Sequence, residues 1–105
     1  MTVQQPQAGA IGDTYKDKAT LSGGVNYDGS GVITFTLYSA ADCGGSVLHT
    51  ETASPVNANK DYVTGTGFAI QNAGTYYWVA SFNGDANNKP FTSGCNDEPV
   101  TVAKS

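Results

Sequence analysis

Apolar and polar side chains alternate along this chain with a period of two. Val32-Ile33-Thr34-Phe35-Thr36-Leu37-Tyr38 places Ile33, Phe35 and Leu37 on one face, and Thr34, Thr36 and Tyr38 on the other. Thr75 to Phe82 places Tyr76, Trp78, Ala80 and Phe82 together, and Val100-Thr101-Val102-Ala103 reads as a short final strand. Successive side chains of a strand leave opposite faces, so each run predicts a strand with one buried side. Weaker runs fill the gaps. Residues 8–15 predict an edge strand, and 19–22 a short strand ended by Gly23-Gly24. Residues 47–52 alternate, and Pro55 is expected to end them. Residues 61–68 alternate with Tyr62 and Phe68 in phase, and Gly65 and Gly67 weaken them, as at a bulge or edge.

Turn signals separate the runs: Asn26 to Gly29, Cys43-Gly44-Gly45, Asn57-Ala58-Asn59, Asn72-Ala73-Gly74 and Asn83-Gly84-Asp85. Helical periodicity is almost absent. Seven short strands with turns at regular spacing predict an all-β sandwich. The expected core is Leu21, Ile33, Phe35, Leu37, Phe68, Tyr76, Trp78, Ala80, Phe82, Val100 and Val102. Residues 1–105 read as one domain without repeat or linker, and residues 1–10 as a flexible lead-in.

Composition narrows the function classes. Hydrophobic residues make up 39% and charged residues 13%, with a net charge of −4. Small polar, β-branched and aromatic residues suit strands joined by tight turns. All five cations are lysines, so a nucleic-acid surface, which needs clustered positive charge, is not expected. Neither a basic amphipathic stretch nor an apolar run near the ~20 residues of a spanning helix is present, so membrane insertion is not expected. Met1 to Pro6 lacks the charged and apolar regions of a signal peptide, which suggests a piece of a longer precursor.

Cys43 and Cys95 form no C-x-x-C pair, and with His49 they are too few for a zinc site. A disulfide, and with it an oxidising compartment, is the expectation; two buried free thiols are the alternative.

Asn72-Ala73-Gly74-Thr75-Tyr76-Tyr77-Trp78 has the spacing of a tyrosine corner, in which a Tyr hydroxyl bonds back to the preceding turn. With Ala19 to Val25, Gly31 to Tyr38, Ala73 to Asn88 and Pro99 to Val102, the chain resembles the bacterial immunoglobulin-like repeats of large secreted and cell-surface proteins. The likeness runs from about Asp13 to Lys104. It implies a seven-stranded immunoglobulin-like β-sandwich with Greek-key connections. It also implies an extracellular, non-catalytic spacer or stalk module, as in adhesins, that is monomeric alone and has neighbouring repeats as partners. Cys43 and Cys95 do not match the inter-sheet bridge of antibody domains, and look instead like a clamp between two loops or strand ends outside the core.

Candidate chemistry is sparse. His49, the only imidazole, is out of phase with Leu48 and reads as an exposed strand residue, and no G-x-S-x-G elbow accompanies it. The acid pairs Asp13/Asp17 and Asp97/Glu98 read as solvated turn charges. Asn83, Asp85, Asn87 and Asn88 crowd one turn, but calcium wants ~6–8 oxygens, so Asp85 is expected to cap turn amides instead. A Lys–Asn or Lys–Asp cross-link from Lys16 or Lys18 to Asn96 or Asp97 is not expected, because polar surroundings would not activate the amine. Tyr27, Tyr38 and Tyr77 are aromatics outside the core phase; Tyr38 and Tyr77 suit cross-strand neighbours. No metal or organic cofactor is expected. The rival to a spacer is a module that recognises glycan or protein through residues 83–97, with Asn83, Asp85, Asn87, Asn88 and Phe91 as its binding loop.

Overall fold

The computed structural model of the chain describes residues 2–3 and 7–104. Those residues are all-β, without a helix. The strands are β1 (Thr2–Val3), β2 (Gln7–Ala10), β3 (Thr14–Tyr15), β4 (Lys18–Thr20), β5 (Gly31–Ala40), β6 (Gly44–Val56), β7 (Asp61–Val63), β8 (Phe68–Ala69), β9 (Gly74–Phe82), β10 (Phe91–Thr92) and β11 (Glu98–Ala103). Three sheets form. The large one runs β2-β11-β9-β5-β6, with β10 also on β9; the smaller ones are β1-β4-β7 and β3-β8. Thr64 N–H donates to Asp17 C=O at 3.1 Å, which joins the two small ladders into one irregular layer. This layer packs its buried side chains against those of the large sheet in a sandwich-like arrangement around one core.

The period-two pattern explains the large sheet. β5 reads buried–intermediate in strict alternation from Gly31 to Tyr38, with Ile33, Phe35 and Leu37 fully buried. Its neighbour β9 contributes Trp78, Ala80 and Phe82 to the same face, with Leu37 opposite Trp78, Phe35 opposite Ala80 and Ile33 opposite Phe82. Val100 and Val102 of β11 close the row. Gly31 is small for a reason: a Cβ there would lie 2.7 Å from the Phe82 ring. Tyr38 and Tyr77 are indeed register partners across β5 and β9. The tyrosine corner forms, with Tyr76 Oη donating to the Asn72 carbonyl at 2.8 Å.

Several expectations change. Pro55 does not end β6, which continues to Val56, a fully buried residue opposite Gly31. β6 is the outer strand of its sheet, where a residue without N–H breaks no ladder. Residues 2–3 and 7–10, read as a lead-in, are strands, and β2 runs parallel to β11. The 61–68 run splits into β7 and β8 around Thr64 to Gly67, where its glycines lie. Tyr15, Ala19, Val56, Tyr62 and Ile70 join the core, whereas Phe68 and Tyr76 are only partly buried against it. Two acids read as solvated, Asp17 and Glu98, are buried.

The disulfide Cys43–Cys95 is present, with its Cα atoms 5.2 Å apart. Gly44 N–H donates to Ala41 C=O, so the β5–β6 turn has Asp42 and Cys43 at its centre, both with positive φ (61° and 56°). Glycine usually takes the second place in such a turn. Here the disulfide and paired Asp42–Asn96 hydrogen bonds, both 2.8 Å, hold it. Cys95 sits in a short excursion. Ser93 bonds to Ala80 of β9, Glu98 resumes the ladder opposite Trp78, and Gly94 to Asp97 bulge out between them. In sheet order the disulfide therefore reaches across β9. Val79 stands opposite the excursion, on the face away from Trp78, yet is only 7% exposed.

Trp78, at 0% exposure, supplies the largest side chain of the core. Trp78→Ala should cost about 3–5 kcal/mol, a large share of a small domain's stability. Native tryptophan emission should be blue-shifted and turn red on chemical unfolding; solvated emission from the native protein would contradict the packing of β9.

Candidate functional site

The loops with the most polar crowding lie at one pole, where residues 21–30, 57–60 and 83–90 meet. The sequence requires a tight turn here. Gly84 has φ of 77°, and a Cβ would lie 2.7 Å from the Asn88 carbonyl and 2.8 Å from Pro90 N. The turn closes with Asp85 N–H donating to Asn88 C=O at 2.9 Å.

Asp85 Oδ1 accepts from Asn87 N–H (2.8 Å) and Asn88 Nδ2 (3.0 Å), and Oδ2 accepts from Asp28 N–H (3.4 Å). Asp28 Oδ1 accepts from Ser30 N–H and Oγ, and its Oδ2 from Ala86 N–H at 3.2 Å. Asn87 Nδ2 donates to Asn26 C=O at 2.6 Å, Asn88 pairs with both main-chain groups of Val25, and Asn83 Oδ1 accepts from Val32 N–H at 2.8 Å. Three of the five binding-loop residues expected from sequence thus fasten one loop to another, and a fourth, Asn83, fastens its loop to the start of β5. Asp85 does cap turn amides. Hydrogen bonds from Ser30 and Ala86 hold the Asp28 carboxyl below its ordinary range. Desolvation raises Asp85, but the donors Asn87, Asn88 and Asp28 N–H outweigh it and hold it low as well. Both carboxylates stay ionised to serve as acceptors. No group of three His, Cys, Asp or Glu side chains is placed to hold a metal among the described residues.

Phe91 differs from the other four. It is 44% exposed in β10 and lines a cavity of about 150 Å³ with Leu21, Gly24, Tyr27, Phe82 and Lys89. That volume is about half the lower end for drug-sized ligands. Val25, 59% exposed, belongs to the same pole. Tyr27 is half-buried, packs against the core and donates its hydroxyl to Asn59 Oδ1 at 2.6 Å.

His49 lies elsewhere and is not an exposed strand residue. It is half-buried, with its ring 5.5 Å from Phe68 and edge-on to Trp78 at 6.3 Å. A register shift between Leu37 and Tyr38 accommodates Leu48 as an extra residue, so Leu48 and His49 both turn towards the core. Nothing in the local sequence marks that bulge. His49 Nε2 contacts Glu51 Oε1 at 2.6 Å. Glu51 also accepts from Gly65, Thr66 and Gly67 N–H at 2.9, 3.2 and 2.6 Å. Burial raises the Glu51 carboxyl, but the bonds from His49 and the turn amides outweigh it and hold it below the ordinary value. The cluster is a staple from β6 to the β7–β8 turn. Lys16, Lys18, Asn96 and Asp97 are all exposed, and Asp97 is occupied by Gly94 N–H at 2.9 Å.

Two outcomes follow for the pole. Asp85→Ala should speed amide exchange at Asp28 and Asn87 by at least tenfold, read by NMR, while residues of β5 and β9 keep their protection. Chelation with EDTA should leave the melting temperature unchanged; a drop of many degrees would assign the Asp28–Asp85 carboxylates to a cation. No family model, curated protein or solved structure matches the chain.

Proposed function

We propose that this chain is a non-catalytic, immunoglobulin-like spacer module of a secreted or cell-surface bacterial protein, read as a seven-stranded sandwich whose short strands count as parts of longer ones. The observation that carries this reading is the path of the chain. β1 pairs with β4 beside the 21–30 and 57–60 loops, at one pole. β11 ends at Ala103, opposite Ala10 and beside the 70–74 turn, at the other. The body between them measures 46 × 23 × 19 Å. A chain that enters at one end of a long body and leaves at the other suits a link in a string, with neighbouring repeats as its partners.

The terminal strands suit the same role. β2 and β11 are parallel, with Gln7 opposite Val100 and Ala103 opposite Ala10. Tension between residues 7 and 103 pulls the two strands past each other and loads their hydrogen bonds side by side. The disulfide encloses a separation of 52 residues, and the chain-entropy relation gives about 4 kcal/mol for that length. It is compatible with an oxidising location outside the cell. The only imidazole is engaged in the Glu51 staple, and this supports a structural reading over a catalytic one.

One observation favours a second reading, recognition of glycan or protein: exposed Phe91 lines a cavity, with exposed Val25 at the same pole, on loops already locked by hydrogen bonds. Pre-organised loops lose little entropy on binding. A glycan array separates the readings, since a spacer gives no signal, whereas a recognition module gives one that Phe91→Ala removes.

The spacer reading is tested by stretching the whole chain between its ends in a single-molecule instrument. Oxidised protein should release a contour length shorter than reduced protein by about 180 Å, the length of the locked 52 residues. Equal lengths would remove the mechanical role of the bridge. Intact mass should fall short of the reduced formula by two hydrogens and nothing more. Cys43→Ser should lower the unfolding midpoint.

A further inference from the structure

Two carboxyl side chains sit inside the domain. Asp17, between β3 and β4, is 0% exposed, and Glu98, the first residue of β11, is 1% exposed. They belong to opposite layers, and neither takes part in the loop fastenings described above. All five lysines are exposed, and the chain has no arginine.

Asp17 is held from several sides. Its N–H donates to Thr64 Oγ1 at 3.1 Å, its carbonyl accepts from Thr64 N–H at 3.1 Å, and its Oδ1 accepts from Lys18 N–H at 2.9 Å. Oδ2 is buried and meets no N–H or hydroxyl donor among the described residues, and the Asp17 side chain lies beside the carboxyl of Glu98. Glu98 Oε2 in turn accepts from Ser93 Oγ at 3.3 Å, and Ser93 is buried too. Glu98 stands in register with Trp78, so the pair abuts the centre of the core.

An ionised carboxylate has only acceptors, so two of them cannot hydrogen-bond to each other unless one carries a proton. Two negative charges side by side in a dry interior would repel strongly. We propose that Asp17 and Glu98 hold one proton between them in the folded domain, and that this shared proton ties β11 to the β3–β4 layer and makes the module more stable in mild acid than in base.

Burial raises the Asp17 carboxyl above its ordinary value of 3.8, against the bonds from Glu98 and Lys18 N–H that lower it. A raised carboxyl gives stability that is full below the unfolded value and is lost as pH rises through the folded value. Glu51, Asp28 and Asp85 are lowered, so their contribution is full above their unfolded values and is lost as pH falls from there through their folded values. The two effects occupy different windows, and stability should peak in mild acid. The other ionisable groups on the enclosing elements include Lys16 and Lys18, exposed, and Tyr15, buried, beside Asp17; Asp97 beside Glu98, bound to Gly94 N–H; Asp61 and Tyr62 on β7; Tyr76 and Tyr77 on β9; and His49 and Glu51 on β6, behind Trp78.

The test compares unfolding of the whole chain and of Asp17→Asn between pH 4 and 9. The Asn amide can donate to Glu98 and accept from Lys18 without ionising. In the original chain the unfolding constant should rise with pH, approaching tenfold per unit while one proton leaves on unfolding. In Asp17→Asn that part of the slope should vanish. His49 is present in both chains, so the difference belongs to the pair. Equal slopes in the two proteins would overturn the proposal. Should the variant fail to fold, carboxyl ¹³C NMR of the original chain decides: an Asp17 or Glu98 carboxyl that titrates above the ordinary carboxyl range upholds it, and two that both titrate within or below that range overturn it.

Discussion

The burial of the Trp78 indole is the constraint on which the rest of this structure depends. Its strand, β9, lies at the middle of the large sheet, and its inner face meets Leu37 of β5 on one side and Glu98 of β11 on the other. Everything around it must close without gaps, since packing at interior density leaves few voids. The small layer does so with Tyr15, Ala19, Leu21, Tyr62 and Ile70, short strands that alone could not form a stable sheet. They are held because the indole face needs cover. Trp78 Nε1 is buried and meets no acceptor among the described residues, so its desolvated N–H offsets part of the ring's apolar gain.

Around that core the molecule fastens its edges with polar devices of different chemistry. The disulfide ties the β5–β6 turn across β9 to the excursion before β11. Glu51 gathers three turn amides and His49. Asp28 and Asp85 exchange bonds with each other's loop. Each device replaces a regular ladder where the chain is irregular, because backbone amides removed from water need acceptors. A chain with 13 glycines pays a large entropy cost on folding, and such fasteners reduce the freedom its loops retain.

The strongest strands were legible in the sequence. The alternation at 32–38 and 75–82 sets both the strand and the face, because a slip of one residue would send Ile33, Phe35, Leu37 and Trp78 to the solvent side. The bond from Tyr76 to Asn72 was legible too, being local. So was the capping role of Asp85, whose partners lie two and three residues away. By contrast, Phe91 is the member of the anticipated binding loop that is not tied to another segment, because the others found long-range main-chain partners that spacing does not reveal.

What the sequence determined by itself is therefore the period-two framework, the burial of its apolar face and the turns with local chemistry. What only the tertiary structure decided is everything set by pairing between distant segments. Pro55 can lie within β6 because no strand flanks its outer edge. The bulge at Leu48 turns His49 inward because Glu51 and the 65–67 turn stand ready to receive it. Asp17 and Glu98 look alike on paper to the solvated Asp13 and Asp97. They differ because Asp17 is enclosed opposite Thr64, and Glu98 follows the excursion that returns the chain to the face of Trp78. A charge next to a turn has no fixed environment until distant strands close over it, and the composition of its neighbours in sequence says nothing about which strands those are.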